Sequence, residues 1–386
     1  VDTIEEEYTA MDHRKILYLH IGMPKTGTSS LQVFLMQNEE ALAQYGVAYP
    51  MMPGRYPMIS PSRNAHFLIG KLTDEQGRED SAQTENMIKK SFELLDQTFK
   101  KADKVILSDE AIWNVYKPDK PDCLRLIRTF CEERNIEIKL IVYLRRQDYY
   151  LESYWKQQIR KRGVTWTWKK MVKKTPKYIV LNYYEHLKEL AEEIGRKNMI
   201  VQSYHEENFD LCVEFLHLLG IRHTEIFQPL ETKANLSLNN NYAEIKRILN
   251  RILSEDPEQW GREQKWLGKI VVDCSREEKR QYESSMFSTE DRQKYMENFR
   301  EINHRIAQEY LGCEDLFEEN EEKNRTLPKW TPDNSFQYED TVLFFGKALL
   351  DMKRELELQR AEVKQLEAGK RGVVRKVVDK CRTIVR

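Results

Sequence analysis

The sequence predicts an α/β fold: a central parallel sheet flanked by helices, with a mostly helical second half and a C-terminal helical tail. Two observations predict it. Short apolar runs at Ile16–Ile21, Lys104–Leu107, Glu137–Leu144 and Met199–Tyr204 alternate with longer amphipathic segments, and strands separated by helices pair in parallel. The run EIKLIVYL also shows little polar alternation, as a strand covered on both faces should.

Residues 1–14 form an acidic, polar leader without the charged-then-apolar layout of a signal peptide. The first strand ends at Gly22, and a helix is predicted from Thr28 to about Gln44. Its hydroxyl residues suit capping, and Leu31, Phe34, Leu35 and Leu42 share one face. A long loop, Tyr49 to Arg63, precedes a helix at Glu85–Lys101 and the second strand. A helix at Cys123–Arg134 feeds the third strand, and further helices are predicted at Tyr183–Gly195, Leu211–Leu219, Tyr242–Leu253 and Glu290–Tyr310. One domain is therefore expected over 15–328. Residues 329–340, including KWTPDN, read as a linker, and 341–386 as a charged helix running into a basic amphipathic tail. No internal repeat with a period of about 20 to 50 residues is visible.

The 386 residues carry a net charge of -1, with 40% hydrophobic and 32% charged residues. That balance suits a globular chain and argues against a general nucleic-acid binder. The six cysteines (Cys123, Cys131, Cys212, Cys274, Cys313, Cys381) form no C-x-x-C pair and lack histidines at ligand spacing, so no metal site is expected. Reduced thiols and the lack of a membrane-length apolar run lead to a cytoplasmic expectation.

The strongest chemical signal is HIGMPKTGTSSLQ, His20 to Gln32, where a strand, a glycine turn and a helix start together make an anion site. Gly22 and Gly27 have the spacing of the Walker A loop, but Thr28 holds its lysine position and Lys25 lies inside the loop. A nucleotide kinase places its lysine after the second glycine. That reading remains the alternative, together with a noncatalytic nucleotide-binding protein. His20, on the strand, reads as a core histidine.

P-K-T-G-T-S on such a turn resembles the 5′-phosphosulfate loop of sulfotransferases that use 3′-phosphoadenosine 5′-phosphosulfate (PAPS). A second element of that family, an arginine ending a strand and a serine eight positions later, matches Arg145 and Ser153 in IVYLRRQDYYLESYW. LNYYEHLKEL, IVQSYHEENF, EFLHLLGI, NLSLNNNYAEIKRILN and FREINHRIAQEYLG extend the similarity from about Ile16 to Phe317, most closely to bacterial members acting on carbohydrates. The resemblance implies a P-loop-like fold and sulfuryl transfer from PAPS to a hydroxyl or amine, with a carbohydrate or glycolipid as acceptor and no metal. Lys25, Thr26, Gly27, Thr28 and Ser29 would hold the 5′ side. Arg145, preferred over Arg146, would hold the 3′-phosphate with Ser153, and Lys25 would also stabilise the leaving group. For the general base the candidates are His66, in SRNAHFLIGKL, and Glu110, just beyond a strand end in VILSDEAIW.

Two basic segments stand apart. Lys156 to Lys174 interleaves lysines and arginines with Trp166 and Trp168, a pattern suited to an anionic saccharide, with a solvated helix face as the alternative. From Gly369 to Arg386, Val373, Val374, Val377, Val378, Cys381, Ile384 and Val385 recur at helical spacing among basic residues. Such a tail either lies on an anionic membrane or joins a partner, a second copy included.

Overall fold

The computed structural model describes residues 14–54, 56, 59–117, 122–175, 179–204, 210–222, 226–230, 238–255, 260–277, 282–317 and 327–384. Apart from Arg14 the polar leader lies outside the described residues, as do the side chains of the basic tail. Five strands, β1 (Ile16–His20), β2 (Val47–Ala48), β3 (Lys104–Ser108), β4 (Glu137–Leu144) and β5 (Met199–Ser203), form one wholly parallel sheet in the order β2-β3-β1-β4-β5. Central β1 pairs Ile16 with Lys104 on one side and with Glu137 on the other. The order reverses between β1 and β4, the place where open α/β sheets bind ligands beyond their strand ends.

The helices are α1 (Thr28–Gln37), α2 (Glu39–Ala43), α3 (Ser81–Thr98), α4 (Ala111–Val115), α5 (Asp122–Glu133), α6 (Gln147–Arg162), α7 (Trp168–Lys173), α8 (Tyr183–Ile194), α9 (Leu211–Leu218), α10 (Asn240–Leu253), α11 (Trp260–Glu277), α12 (Thr289–Met296), α13 (Arg300–Ile306) and α14 (Gln337–Ile384). The chain divides into two compact units. The first, residues 1–155, 168–237 and 287–326, holds the sheet, and the second, residues 156–167, 238–286 and 327–386, is helical. In the first, Tyr18, Ile106, Ile141 and Tyr143 point from the sheet into a cluster with Leu31, Phe34, Leu35 of α1 and Phe215, Leu216 of α9. Leu17, Leu19, Val105, Leu107 and Leu140 are buried as well, so both sheet faces are covered and the strands need no alternation.

Several ends differ from the sequence reading for local reasons. The helix predicted over 28–44 breaks at Asn38, whose amide donates to Phe34 O and Gln228 O (2.9 and 3.0 Å) while its Oδ1 accepts from the Gln228 amide. α3 begins four residues early because the Asp80 carboxylate caps the Gln83 amide at 2.9 Å. The helix predicted over 290–310 is a succession of α12, a 3-10 turn, α13 and a π turn at Ala307–Leu311. α11 and the two-residue edge strand β2 were not predicted. In the second unit, Asn241 accepts from Trp330 Nε1 (2.7 Å) and donates to Asp340 (2.7 Å), tying the segment before α14 to α10.

His20 is a core histidine. It is fully buried, its Nδ1 lies 2.8 Å from Ser108 Oγ, and its ring packs edge-on against Tyr143 and Phe215. Desolvation pushes its pKa down to about 3, against a smaller opposing pull from Asp109. The unfolded chain binds this proton below about pH 6.5, while the folded chain resists it down to about pH 3. Stability present above pH 6.5 is therefore lost at roughly 1.4 kcal/mol per pH unit as the pH falls through that window. Urea unfolding of the parent and of His20→Gln between pH 7 and 4 should show the variant with the shallower slope; equal slopes would refute this assignment.

Candidate functional site

Three strand ends supply the site. After β1 the chain turns at Gly22 (φ 99), places Lys25 in the left-handed region (φ 76) and enters α1 from Gly27 (φ 75). Lys25 pays a small steric cost there that glycine would not. Thr26 is buried and donates from Oγ1 to Met23 O at 2.6 Å, fixing the turn from inside. Gly27 fits because a Cβ there would meet Leu211 Cδ2 at 2.9 Å. The first helical bonds are donated by Ser30 and Leu31 to Gly27 O (2.9 and 3.1 Å). Among the described hydrogen bonds none is donated by the amides of Thr26, Gly27, Thr28 or Ser29, which precede them. Those four amides and the helix dipole make a cradle suited to an anion.

From the end of β4, Arg145 reaches across to this loop. Its Nη1 donates to Lys25 O at 2.8 Å, its guanidinium lies 6.0 Å from the Tyr204 ring centroid, and its own carbonyl accepts from Tyr183 Oη at 2.9 Å. Arg146 instead forks onto buried Asp148 at 2.9 and 3.1 Å, a carboxylate that also binds Arg292. Ser153 is buried on α6, eight residues past Arg145.

From the end of β3 come Asp109 and Glu110. Asp109 is fully buried and accepts from Arg63 Nε and Nη2, from His66 Nδ1 (2.8 Å) and from the Ala111 amide (2.8 Å). Burial alone would raise its pKa; the His66 hydrogen bond and the Arg63 charge outweigh it and hold the carboxyl below its ordinary value. An ionised Asp109 only accepts, so the Nδ1 of a neutral His66 carries the proton and Nε2 keeps its lone pair. Glu110 Oε2 accepts from Gln32 Nε2 at 2.9 Å and lies 3.6 Å from Arg63 Nε. A Cβ on Gly22 would meet Glu110 Cβ at 3.0 Å, so Glu110 sits directly against the start of the loop. Gly70 serves His66 in the same manner, since a Cβ there would lie 2.7 Å from His66 Cδ2 and 2.6 Å from Tyr56.

The structure thus brings Arg145 to the loop and joins His66 and Glu110 through Arg63 and Asp109, two residues the sequence reading did not select. Their signal was a D-E pair ending a strand and an arginine three residues before the histidine, but the ion pair spans 46 residues. α6 ends at Arg162, Gly163 turns with φ 67, and Trp168 packs against Trp155 and Phe287 at 5.6 and 4.9 Å.

Fold and site together define an α/β protein with a strand–glycine turn–helix loop, of a geometry suited to an anion, beside a histidine–aspartate pair. No family model matches the chain. An uncharacterised protein of Archaeoglobus fulgidus is 28% identical over 225 residues, 57% of this chain, and the match spans only 57% of that relative's length. The crystal structure of a sulfotransferase from Alicyclobacillus acidocaldarius is similar over 63% of this chain and 97% of that one, at 14% identity and a TM-score of 0.35. Among the described residues no group of three or more His, Cys, Asp or Glu is placed to hold a metal, and no helix is long and apolar enough to cross a membrane.

Proposed function

We propose that the chain is a sulfotransferase that transfers a sulfuryl group from PAPS to a hydroxyl or amine of a carbohydrate-type acceptor. The observation that carries this reading is the bond from Arg145 Nη1 to Lys25 O, which sets a guanidinium beside an anion cradle whose lysine lies inside the loop. A triphosphate site would require the lysine after Gly27, where Thr28 stands.

The donor residues fit the group. The amides of Thr26, Gly27, Thr28 and Ser29 and the Lys25 ammonium would hold the 5′-phosphosulfate, and Arg145 with Ser153 the 3′-phosphate. When bound, the donor supplies a sulfur open to in-line attack and a phosphate leaving group. Lys25 neutralises charge developing on that leaving oxygen. His66 Nε2 accepts the acceptor's proton, and Asp109, held by Arg63, fixes the ring and stabilises the imidazolium that forms. Glu110 adds a second carboxylate 3.6 Å from Arg63 Nε, on the side that Asp109 holds.

Calorimetric titration with adenosine 3′,5′-bisphosphate and, separately, magnesium-ATP tests the reading without needing the acceptor. The bisphosphate should bind and ATP should not compete, and Arg145→Ala should weaken bisphosphate binding by about 10- to 100-fold, the loss of a charged bidentate contact worth roughly 1.5–3 kcal/mol. Preferential binding of magnesium-ATP would overturn it in favour of a nucleotide kinase.

A further inference from the structure

The largest run of exposed apolar side chains in the second unit belongs to α14. Its inner side docks: Asp340, Phe344 and Ala348 are buried, Asp351 accepts from Trp266 Nε1 at 2.6 Å, and Lys347 pairs with Glu277 at 2.5 Å. The opposite side carries Tyr338, Val342, Phe345, Leu349, Met352, Leu356 and Val363, each between 48% and 80% exposed. Soluble surfaces rarely leave so long an apolar stripe uncovered.

The spacing of that stripe identifies what covers it. The steps alternate four and three residues, so Val342, Leu349, Leu356 and Val363 occupy heptad a positions, and Tyr338, Phe345 and Met352 occupy d positions. The same register runs on in the sequence through Leu366, Val373, Val377 and Ile384, seven heptads in all, broken only by Gln359, Lys370 and Lys380. A strict seven-residue repeat kept over this length drifts off a straight helix unless two helices supercoil left-handedly around each other.

We infer that α14 is the dimerisation element of this chain and pairs with α14 of a second copy as a parallel, in-register, two-stranded coiled coil. Three features favour a second copy. β-branched residues recur at a, at Val342, Val363, Val377 and Ile384, the choice that favours two strands, and the polar seam residues Gln359 and Lys370 meet their own counterparts only in register. Glu355 at g faces Arg360 at e of the second copy, and the reverse, in a parallel pair. An antiparallel pair would set Glu355 and Glu362 against each other, and Lys353 against Arg360. The parallel arrangement carries like-charged contacts of its own, Glu362 with Glu367 and Lys370 and Lys380 each with its own counterpart in the seam, a cost that the apolar a and d positions and the Glu355–Arg360 pairs offset. Finally, 48 residues make a helix about 72 Å long, and a strip about 10 Å wide offers roughly 700 Å² per copy, or about 1,400 Å² together, the size of a stable interface.

A membrane surface is the weaker occupant. From Asp351 to Glu362, in the middle of the stripe, four acids balance three bases and leave no cationic excess for anionic lipid there. The inference is independent of the catalytic reading, since it is tested on mass alone.

Light scattering of the intact chain at micromolar concentration should give twice the 46.2 kDa of one chain. Leu349→Asp with Leu356→Asp should reduce it to one, with bisphosphate binding unchanged. In a background with Cys313 and Cys381 replaced by serine, Leu356→Cys should form a symmetric disulfide on mild oxidation, because a parallel register brings like a positions to bonding distance. Arg354→Cys, at the outward f position, should not. A monomeric parent chain, a dimer that survives the paired aspartates, or absence of the Leu356→Cys cross-link would overturn the proposal, as would a monomer that pellets with anionic vesicles.

Discussion

Replacing Asp109 by alanine should lower the unfolding free energy of the sheet-containing unit by about 3–5 kcal/mol, the cost of stripping one partner from a buried ion pair. The carboxylate is fully buried and serves four donors: Arg63 Nε and Nη2, His66 Nδ1 and the Ala111 amide. Its loss leaves the guanidinium with Glu110 at 3.6 Å and orphans the amide. Asp109→Asn keeps an acceptor for Ala111 and should cost less, about 1–3 kcal/mol. The urea midpoint, with an unchanged denaturant slope, checks this; a loss below about 1 kcal/mol for the alanine variant would show that the pair is not holding this end of β3. The pH sign is fixed by the direction of the shift. The folded pKa lies below the unfolded value of about 3.9, so this stability is present above pH 4 and lost as the pH falls through the folded value. Asp109→Asn should therefore flatten the acid limb below pH 4 and leave the slope between pH 6.5 and 4, where His20 acts, unchanged.

Lys25→Ala should reduce turnover about 100- to 1,000-fold while leaving adenosine 3′,5′-bisphosphate binding within about tenfold, the pattern of a group acting on charge that develops in the transition state. The substitution is clean at the backbone. Lysine and alanine meet the same Cβ restriction at φ 76, so the variant removes the ammonium without adding strain. Labelled donor reports the rate through transfer to acceptor or slow transfer to water. Equal loss of binding and turnover would assign Lys25 to ground-state anchoring alone.

Much of the sheet was legible because its signals are local. β1, β3, β4 and β5 begin at Ile16, Lys104, Glu137 and Met199, the residues where the apolar runs begin. β2 escaped because two residues carry no period, and α3 began early because an aspartate cap outranked hydrophobic spacing. The loop could be read from one window, since glycines, hydroxyls and a strand-to-helix turn are contiguous. Arg63 and Asp109 could not, since an arginine and an aspartate 46 residues apart announce nothing until the chain brings them together. The partners of Trp168 were hidden for a related reason: a tryptophan among lysines does not announce its contacts with Trp155 and Phe287.

By itself the sequence determined four of the five strands, where the strand–glycine turn–helix loop forms and which strand ends carry chemical side chains, because propensity, capping and glycine conformation act within a few residues. Only the tertiary structure decided the order β2-β3-β1-β4-β5, the reach of Arg145 to Lys25 O, and the meeting of Arg63, Asp109 and His66. A strand buried on both faces presents the same apolar run to any neighbour, so its partners are set by chain crossovers and packing across tens of residues, which no local window contains.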